Sequence, residues 1–393
     1  MQPPIEVRGT PAQPLGMSPA RFLRDYWQKR PLLIRQAFAD FTPPLQPDDL
    51  AGLACEDGVL SRLIVHDERR DRWTVKSGPL QESDFAHTPK TGWTVLVQDV
   101  DKWDADVARL LEHFTFLPSW RVDDVMVSYA ETDGGVGAHV DQYDVFLLQG
   151  IGQRHWAIST DPDAPRAFRP DIELKQLAQF EPTHEWLLEP GDMLYLPPGV
   201  PHDGTAVGGP CMTLSVGMRA PSRAELTGDL ADHIAERLSD ELRYVDPDLK
   251  PATRSGEIDR ASLARLRQAL PFAAAFDDAV LADWFGRFIT RYRNAHVVAP
   301  ADKPLTDTAL ERKLAAGAQW LRHPWTRLAW HVDRSGCALY ANGEAYPCSA
   351  SFAQALCAQR KGVVATDLGV IDRAALLALV NDGHLQLRKP RRQ

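Results

Sequence analysis

The sequence predicts an α+β chain in which a β-rich domain, an antiparallel sandwich or small barrel, comes first and helices with a small β-ribbon follow. From about residue 60 to 218 short β-prone runs dominate (WTVLVQDV, VMVSYA, AHVDQYDVFLLQ, HWAIS, MLYLPPG, MTLSVGM), separated by turn clusters such as TDGGVG and STDPDAP. No regular helices intervene, which argues against a parallel sheet. After the segment RAPSRAE the apolar residues fall at helical spacing instead. Near the end, Asn342-Gly343 sits inside strand-like sequence and is a favoured two-residue hairpin turn.

Taken in order, residues 17 to 38 set Phe22, Leu23, Tyr26 and Trp27 at helical spacing ahead of KRPLLI, which reads as a helix leading into a strand. The β-rich region follows. Beyond it Leu226, Leu230, Ile234 and Leu238 recur every four residues and mark one helix face. Val280, Leu281, Trp284, Phe285, Phe288, Ile289 and Tyr292 then trace a wide apolar stripe. Such a stripe needs cover, from its own chain or from a second subunit. A linker, VVAPADKP, leads to helical runs near 309 to 318, 350 to 360 and 372 to 382, around the strand-like WTRLAWHV and ALYANGEAYPC. Helices with a small ribbon suggest a winged-helix shape.

A chain of 393 residues exceeds the usual single domain, so two or three domains are expected. The net charge of -9 argues against coating nucleic acid through a general basic surface, and it suits a basic partner. Cys55, Cys211, Cys337, Cys348 and Cys357 are scattered and contain no C-x-x-C pair, so neither a disulfide framework nor a zinc knuckle is indicated. The N-terminal MQPPIEVRGTPAQPLGM has no basic start followed by an apolar core, and nowhere do 18 apolar residues run together. The expectation is a soluble cytoplasmic protein without membrane association.

The chemistry centres on AHVDQYD and PGDMLYLPPGVPH. In an extended strand, side chains two apart share a face, so His139 and Asp141 point together into a barrel. His202, 61 residues after Asp141, completes the set. Gly191, Pro197, Gly199 and His202 fit G-x5-P-x-G-x2-H, a tight turn ending a strand and aiming a histidine inward. That spacing is similar to the second cupin motif as far as its histidine, with Ala206 where the motif has asparagine. Two imidazoles and one carboxylate leave three octahedral positions open, the arrangement of a non-haem Fe(II) oxygenase.

Oxygen activation needs two electrons beyond those of the substrate, which 2-oxoglutarate supplies as cosubstrate while chelating iron. Its far carboxylate needs a cation, and Arg154 offers a planar, permanently charged fork. Ser128, Thr213 and Ser215 on flanking strands are candidate hydroxyl partners of the same ligand. Gly134, Gly135 and Gly137 form no phosphate loop and instead suggest a turn close to the metal.

With GGVGAHVDQYDVFLLQGIGQRHW, EPGDMLYLPPGVPHDG and LSVGMRAP, the chain resembles the JmjC-domain ribosomal oxygenases, and most closely the bacterial ribosomal protein arginine hydroxylases. The resemblance implies a JmjC/cupin-like double-stranded β-helix over residues 1–220, a helical dimerisation region over 221–298 and a C-terminal winged-helix domain over 299–393. It implies a homodimer. It also implies that His139, Asp141 and His202 bind iron and that Arg154 binds 2-oxoglutarate, with Ser128. The implied substrate is an arginine of the large-subunit ribosomal protein numbered sixteen. Glu131, Asp133 and Asp144 would steer such a basic protein.

Two other readings fit the same motifs. A JmjC demethylase uses the same metal set and releases formaldehyde. A winged-helix DNA-binding regulator would use the β-domain as a metal or metabolite sensor. Residues 299–393 carry thirteen Lys or Arg against eight Asp or Glu, four of the positives in the tail RKPRR. The acidic whole makes direct nucleic-acid binding the weaker expectation.

Overall fold

The computed structural model describes residues 5–247, 249, 258–270, 277–358, 363–364 and 368–387. The chain divides into two compact units, Met1–Ala220 and Pro221–Gln393.

The first unit is built on one sheet of eleven strands. They are β1 (Glu6–Arg8), β2 (Leu32–Arg35), β3 (Ser61–Asp67), β4 (Arg72–Ser77), β5 (Trp93–Val97), β6 (Val122–Ala130), β7 (His139–Val140), β8 (Val145–Ile158), β9 (His184–Leu188), β10 (Met193–Leu196) and β11 (Pro201–Met218). The order is β1-β2-β10-β8-β11-β6-β5-β3-β4, with β7 on β11 and β9 on β8. The two longest strands are shared. β8 pairs with β10 through Val145–Leu148 and with β9 through Arg154–Ile158. β11 pairs with β7 at its start, with β6 at its end, and with β8 along most of its length. These long strands, each pairing with different partners at its two ends, build the double-stranded β-helix expected from the resemblance.

Strand alternation decides which side chain meets which core. Phe146 and Leu148 of β8, Met193 and Tyr195 of β10, and Leu32 and Ile34 of β2 join the large cluster under the helices Pro19–Asp25 and Pro47–Ala54. The residues between them, Val145, Leu147, Leu194, Leu196 and Leu33, join Trp156, Ile158 and Leu188 in a second, smaller cluster. On β11 the first face stays aliphatic with Met212, Leu214 and Val216, whereas the second carries Thr213 and Ser215. Buried hydroxyls need polar partners, and Thr213 Oγ1 finds one in Gln149.

Two strands read separately in the sequence, VFLLQ and HWAIS, are one continuous β8. Gly152 bends the strand rather than ending it: its φ is +62°, and a Cβ there would lie 2.1 Å from the Pro210 carbonyl oxygen. The helix expected ahead of KRPLLI is Pro19–Asp25, with Phe22 fully buried against Tyr195 and Phe146 and Tyr26, at the helix end, fully buried against Phe22.

The second unit opens with helices Arg223–Ala235, Arg260–Ala269 and Asp278–Arg291. Two three-stranded sheets follow, formed by β12 (Gln319–Arg322), β13 (Leu328–Asp333), β14 (Gly336–Ala341), β15 (Glu344–Cys348), β16 (Val363–Val364) and β17 (Leu385–Leu387). Helices Asp307–Ala315, Ala350–Ala358 and Val370–Asn381 surround them. Asn342 and Gly343, both at positive φ, make the β14–β15 turn as expected. The apolar stripe is covered within its own unit: Trp284, Phe288 and Ile289 are buried, and Gly286 lets Tyr340 approach so closely that a Cβ would lie 2.3 Å from its ring. The tail RKPRR, and residues 359 and 360 of an expected helical run, lie outside the described residues. No described helix is long and apolar enough to cross a membrane.

Candidate metal centre

The sheet brings the two motif histidines face to face. β7 pairs with β11 so that His139 lies directly opposite His202, and residues opposite one another share a face. Asp141 follows just beyond β7, and its carbonyl accepts from Gly199 N–H at 2.8 Å, which ties it to the turn before His202. Asp141 Oδ2 stands 3.7 Å from His202 Nε2 and 4.0 Å from His139 Nε2. One ligand atom from each of the three residues falls within 4.8 Å of the others, the one such group of three among the described residues.

Backbone carbonyls orient both rings. His139 Nδ1 lies 2.9 Å from the Gly137 oxygen, and His202 Nδ1 lies 2.9 Å from the Val200 oxygen. A carbonyl only accepts, so Nδ1 carries the proton and Nε2 turns its lone pair to the centre, the tautomer metal ligation requires. Burial, then the neighbouring His139, push the His202 imidazole down to about 4, so this ring stays neutral. Desolvation and the Asp141 carboxylate raise the Tyr143 phenol above its usual range, keeping it a donor beside that carboxylate.

Arg154 shares this interior. The β8–β11 register sets Arg154 opposite Ala206, Trp156 opposite Gly204 and Ile158 opposite His202, so all six alternate onto one face. Trp156 packs on His202 with ring centroids 5.9 Å apart. Arg154 is 3% exposed; its Nη2 donates to the Gly204 carbonyl at 2.9 Å and its guanidinium carbon lies 5.1 Å from the Trp156 ring. Its Nε is buried without a partner, and among the described residues no carboxylate pairs with it. A buried cation lacking a counter-charge is costly, and it fits a carboxylate-bearing ligand. Space is reserved as well: a Cβ on Gly204 would lie 2.6 Å from Trp156 and 2.8 Å from Arg154 Nε.

Ser128 and Thr213 face each other across β6 and β11, both buried on the interior face. Thr213 Oγ1 donates to Gln149 Oε1 at 3.1 Å. Asp144 is not a rim acid. It is fully buried, where it accepts from Tyr195 Oη (2.6 Å), Gln28 Nε2 (2.9 Å) and Arg121 (3.3 Å), and so organises the core. Sequence reasoning missed Asp124, which follows the β6 alternation onto the Ser128 face. Burial, with Asp123, Asp99 and Asp101 nearby, pushes its carboxyl up to about 7.

That fold with that site defines a JmjC-domain protein. A JmjC domain profile matches residues 109–226, a ROXA-like winged helix profile matches 273–386, and an AraC-like ligand binding domain profile matches 182–279. The chain is 37% identical over 370 residues to the ribosomal protein uL16 3-hydroxylase of Escherichia coli, covering 92% of this chain and 96% of that one. It is 38% identical over 237 residues to a probable ribosomal oxygenase of Haemophilus influenzae, covering 60% and 56%. The structure of the Escherichia coli ribosomal oxygenase YcfD in complex with cobalt and 2-oxoglutarate superposes with a TM-score of 0.79 at 35% identity, over 95% of this chain and 99% of that one. The chain belongs to the JmjC-domain ribosomal oxygenase family.

Proposed function

We propose that this chain is a cytoplasmic Fe(II)- and 2-oxoglutarate-dependent hydroxylase of an arginine side chain in a ribosomal protein, number sixteen of the large subunit. The observation that carries the reading is one interior face holding both a two-histidine, one-carboxylate cluster and a buried arginine without counter-charge. His139, Asp141 and His202 would hold the metal and leave three positions open. Arg154 would take the far carboxylate of 2-oxoglutarate, aided by Ser128; Thr213 would have to turn its proton from Gln149 to join them. Iron and 2-oxoglutarate, when bound, would supply the oxidising power for the hydroxylation. Trp156 and the small apolar cluster keep water from this face.

A basic substrate suits the other side of the site. Asp123 and Asp124 act electrostatically on Tyr143, which adjoins Asp141, so a guanidinium bound there would meet acidic groups near the metal and would favour the ionised form of Asp124. The relative from Escherichia coli, whose name specifies uL16, supports the same class of substrate. Five free cysteines suit the reducing cytoplasm. Homodimerisation is supported by helix Arg260–Ala269, which buries no residue and leaves Leu263 and Leu266 more than 40% exposed.

The test is mass spectrometry of ribosomal proteins after iron-loaded enzyme receives 2-oxoglutarate and oxygen, with His202→Ala as control. One added oxygen atom on one arginine, absent in the control, is expected. Formaldehyde in place of a stable hydroxylated product would mean demethylation. No added oxygen while 2-oxoglutarate is still consumed would reject the ribosomal target.

A further inference from the structure

The connection between β8 and β9, residues 159–183, lies outside the sheet yet reaches the turn that aims His139. It folds into a small antiparallel hairpin: Phe168 bridges Leu177, Arg169 N–H donates to the Gln176 carbonyl (2.8 Å), and Ala178 N–H donates to the Ala167 carbonyl (2.8 Å). Gln176, so held, is 4% exposed. Its Nε2 donates to the Val136 carbonyl at 2.7 Å, and the next N–H, Leu177, donates to the Ala138 carbonyl at 2.7 Å. Between those two carbonyls lies Gly137, whose own carbonyl receives His139 Nδ1. Gly137 has φ +76°, and a Cβ there would lie 2.5 Å from Gln176 Nε2. The absent side chain is what lets the buried amide close on the turn.

We propose that Gln176 is a positioning residue for the metal ligand His139: its amide locks the Val136–Ala138 turn so that the Gly137 carbonyl holds the imidazole with Nε2 toward Asp141 and His202. The proposal rests on the metal-centre reading above. Gln176 touches neither metal nor substrate and acts only through the turn. The position needs a donor, since the Val136 carbonyl accepts; a carboxylate of the same shape would set acceptor against acceptor.

The experiment compares the full-length, metal-free parent with Gln176→Glu, Gln176→Met and His139→Ala. Mn(II) is titrated in while the free ion is followed by electron paramagnetic resonance, and metal-free melting is recorded in parallel. Removing a hydrogen-bond partner from outside the ligand shell typically weakens metal binding about 10- to 100-fold, and the lower end is expected here because Gln176 acts through one intervening residue. His139→Ala should bind more weakly still. A purely structural role would lower the melting temperature of both glutamine variants and leave Mn(II) affinity at the parent value, and that result overturns the proposal. If His139→Ala binds Mn(II) as tightly as the parent, the metal centre itself is wrong and the proposal falls with it. Should Gln176→Met fail to fold, Gln176→Glu decides the matter, since it keeps the shape while replacing the donor amide by a charged acceptor.

Discussion

Replacing Arg154 by methionine should make the ligand-free protein no less stable while abolishing its response to 2-oxoglutarate. The guanidinium is 3% exposed, donates to the Gly204 carbonyl, packs on Trp156 and leaves Nε without a partner. Before ligand binds it is a buried ion without a counter-charge. Methionine keeps an unbranched stem reaching to about the Nε position and removes the charge. For the Mn(II)-loaded parent, 2-oxoglutarate at about 100 times its Kd stabilises by about 3 kcal/mol. At about 2–4 °C per kcal/mol, the melting temperature should rise by roughly 5–10 °C. Losing one partner of a buried charge pair costs about 3–5 kcal/mol, so affinity should fall by roughly two to three and a half orders of magnitude. The variant should then show no shift at the same ligand concentration. Differential scanning fluorimetry under anaerobic conditions reads both quantities. An undiminished shift in Arg154→Met would refute the carboxylate anchor, and a ligand-free melting temperature several degrees below the parent would make Arg154 a structural residue.

Gly204→Ala places a Cβ 2.6 Å from Trp156 and 2.8 Å from Arg154 Nε; overpacking of this kind costs about 1–3 kcal/mol, so the KM for 2-oxoglutarate in a succinate-release assay should rise about tenfold or more. Asp124 is held up to about 7, above its unfolded value, so the folded chain keeps a proton that the unfolded chain releases. Stability from that proton is complete below about pH 4 and is lost as pH rises through 7, a loss of at most about 4 kcal/mol. Denaturant titrations at pH 5 and pH 8 should therefore show Asp124→Asn gaining on the parent at the higher pH, and equal differences at both would exclude the effect. Leu263→Asp with Leu266→Asp should convert the proposed dimer to monomer in light scattering, with the helical circular dichroism of each subunit preserved because neither side chain is buried.

Much of the centre was legible because its geometry is local. His139 and Asp141 sit two apart on an extended segment, and the proline-glycine turn ahead of His202 announces an inward histidine. Arg154 was legible as a charge near the start of a β-prone run, although the run proved to be the second half of a longer strand. What could not be read depended on contacts distant in sequence. Asp144 follows the motif closely and looks like a rim acid until Tyr195 and Gln28 close over it. Gln176 lies in polar loop sequence, and only the folded hairpin carries its amide to Val136. Asp124 sits among apolar β6 residues, and its perturbed carboxyl comes from burial and the adjacent Asp123, to which Asp99 and Asp101 of another segment add.

The positions of both imidazoles are set by interactions that involve no metal. Each Nδ1 faces a carbonyl two residues earlier, β7 and β11 pair the two histidines directly, and the Asp141 carbonyl receives the Gly199 N–H. A centre assembled this way is ordered before the ion arrives, so less of the binding free energy is spent on arranging ligands. Desolvating His202 is the opposing cost, and the packing of Trp156 and Ile158 on the same face must offset it. Tyr143 donates to the Asp141 carboxylate and belongs with the ligand framework, but the acidic groups around it, Asp123 and Asp124, take no part in that framework. Changes there should alter which cationic side chain reaches the metal while leaving the affinity for the metal itself largely intact, whereas changes at Gly137, Gln176 or Gly199 should do the reverse.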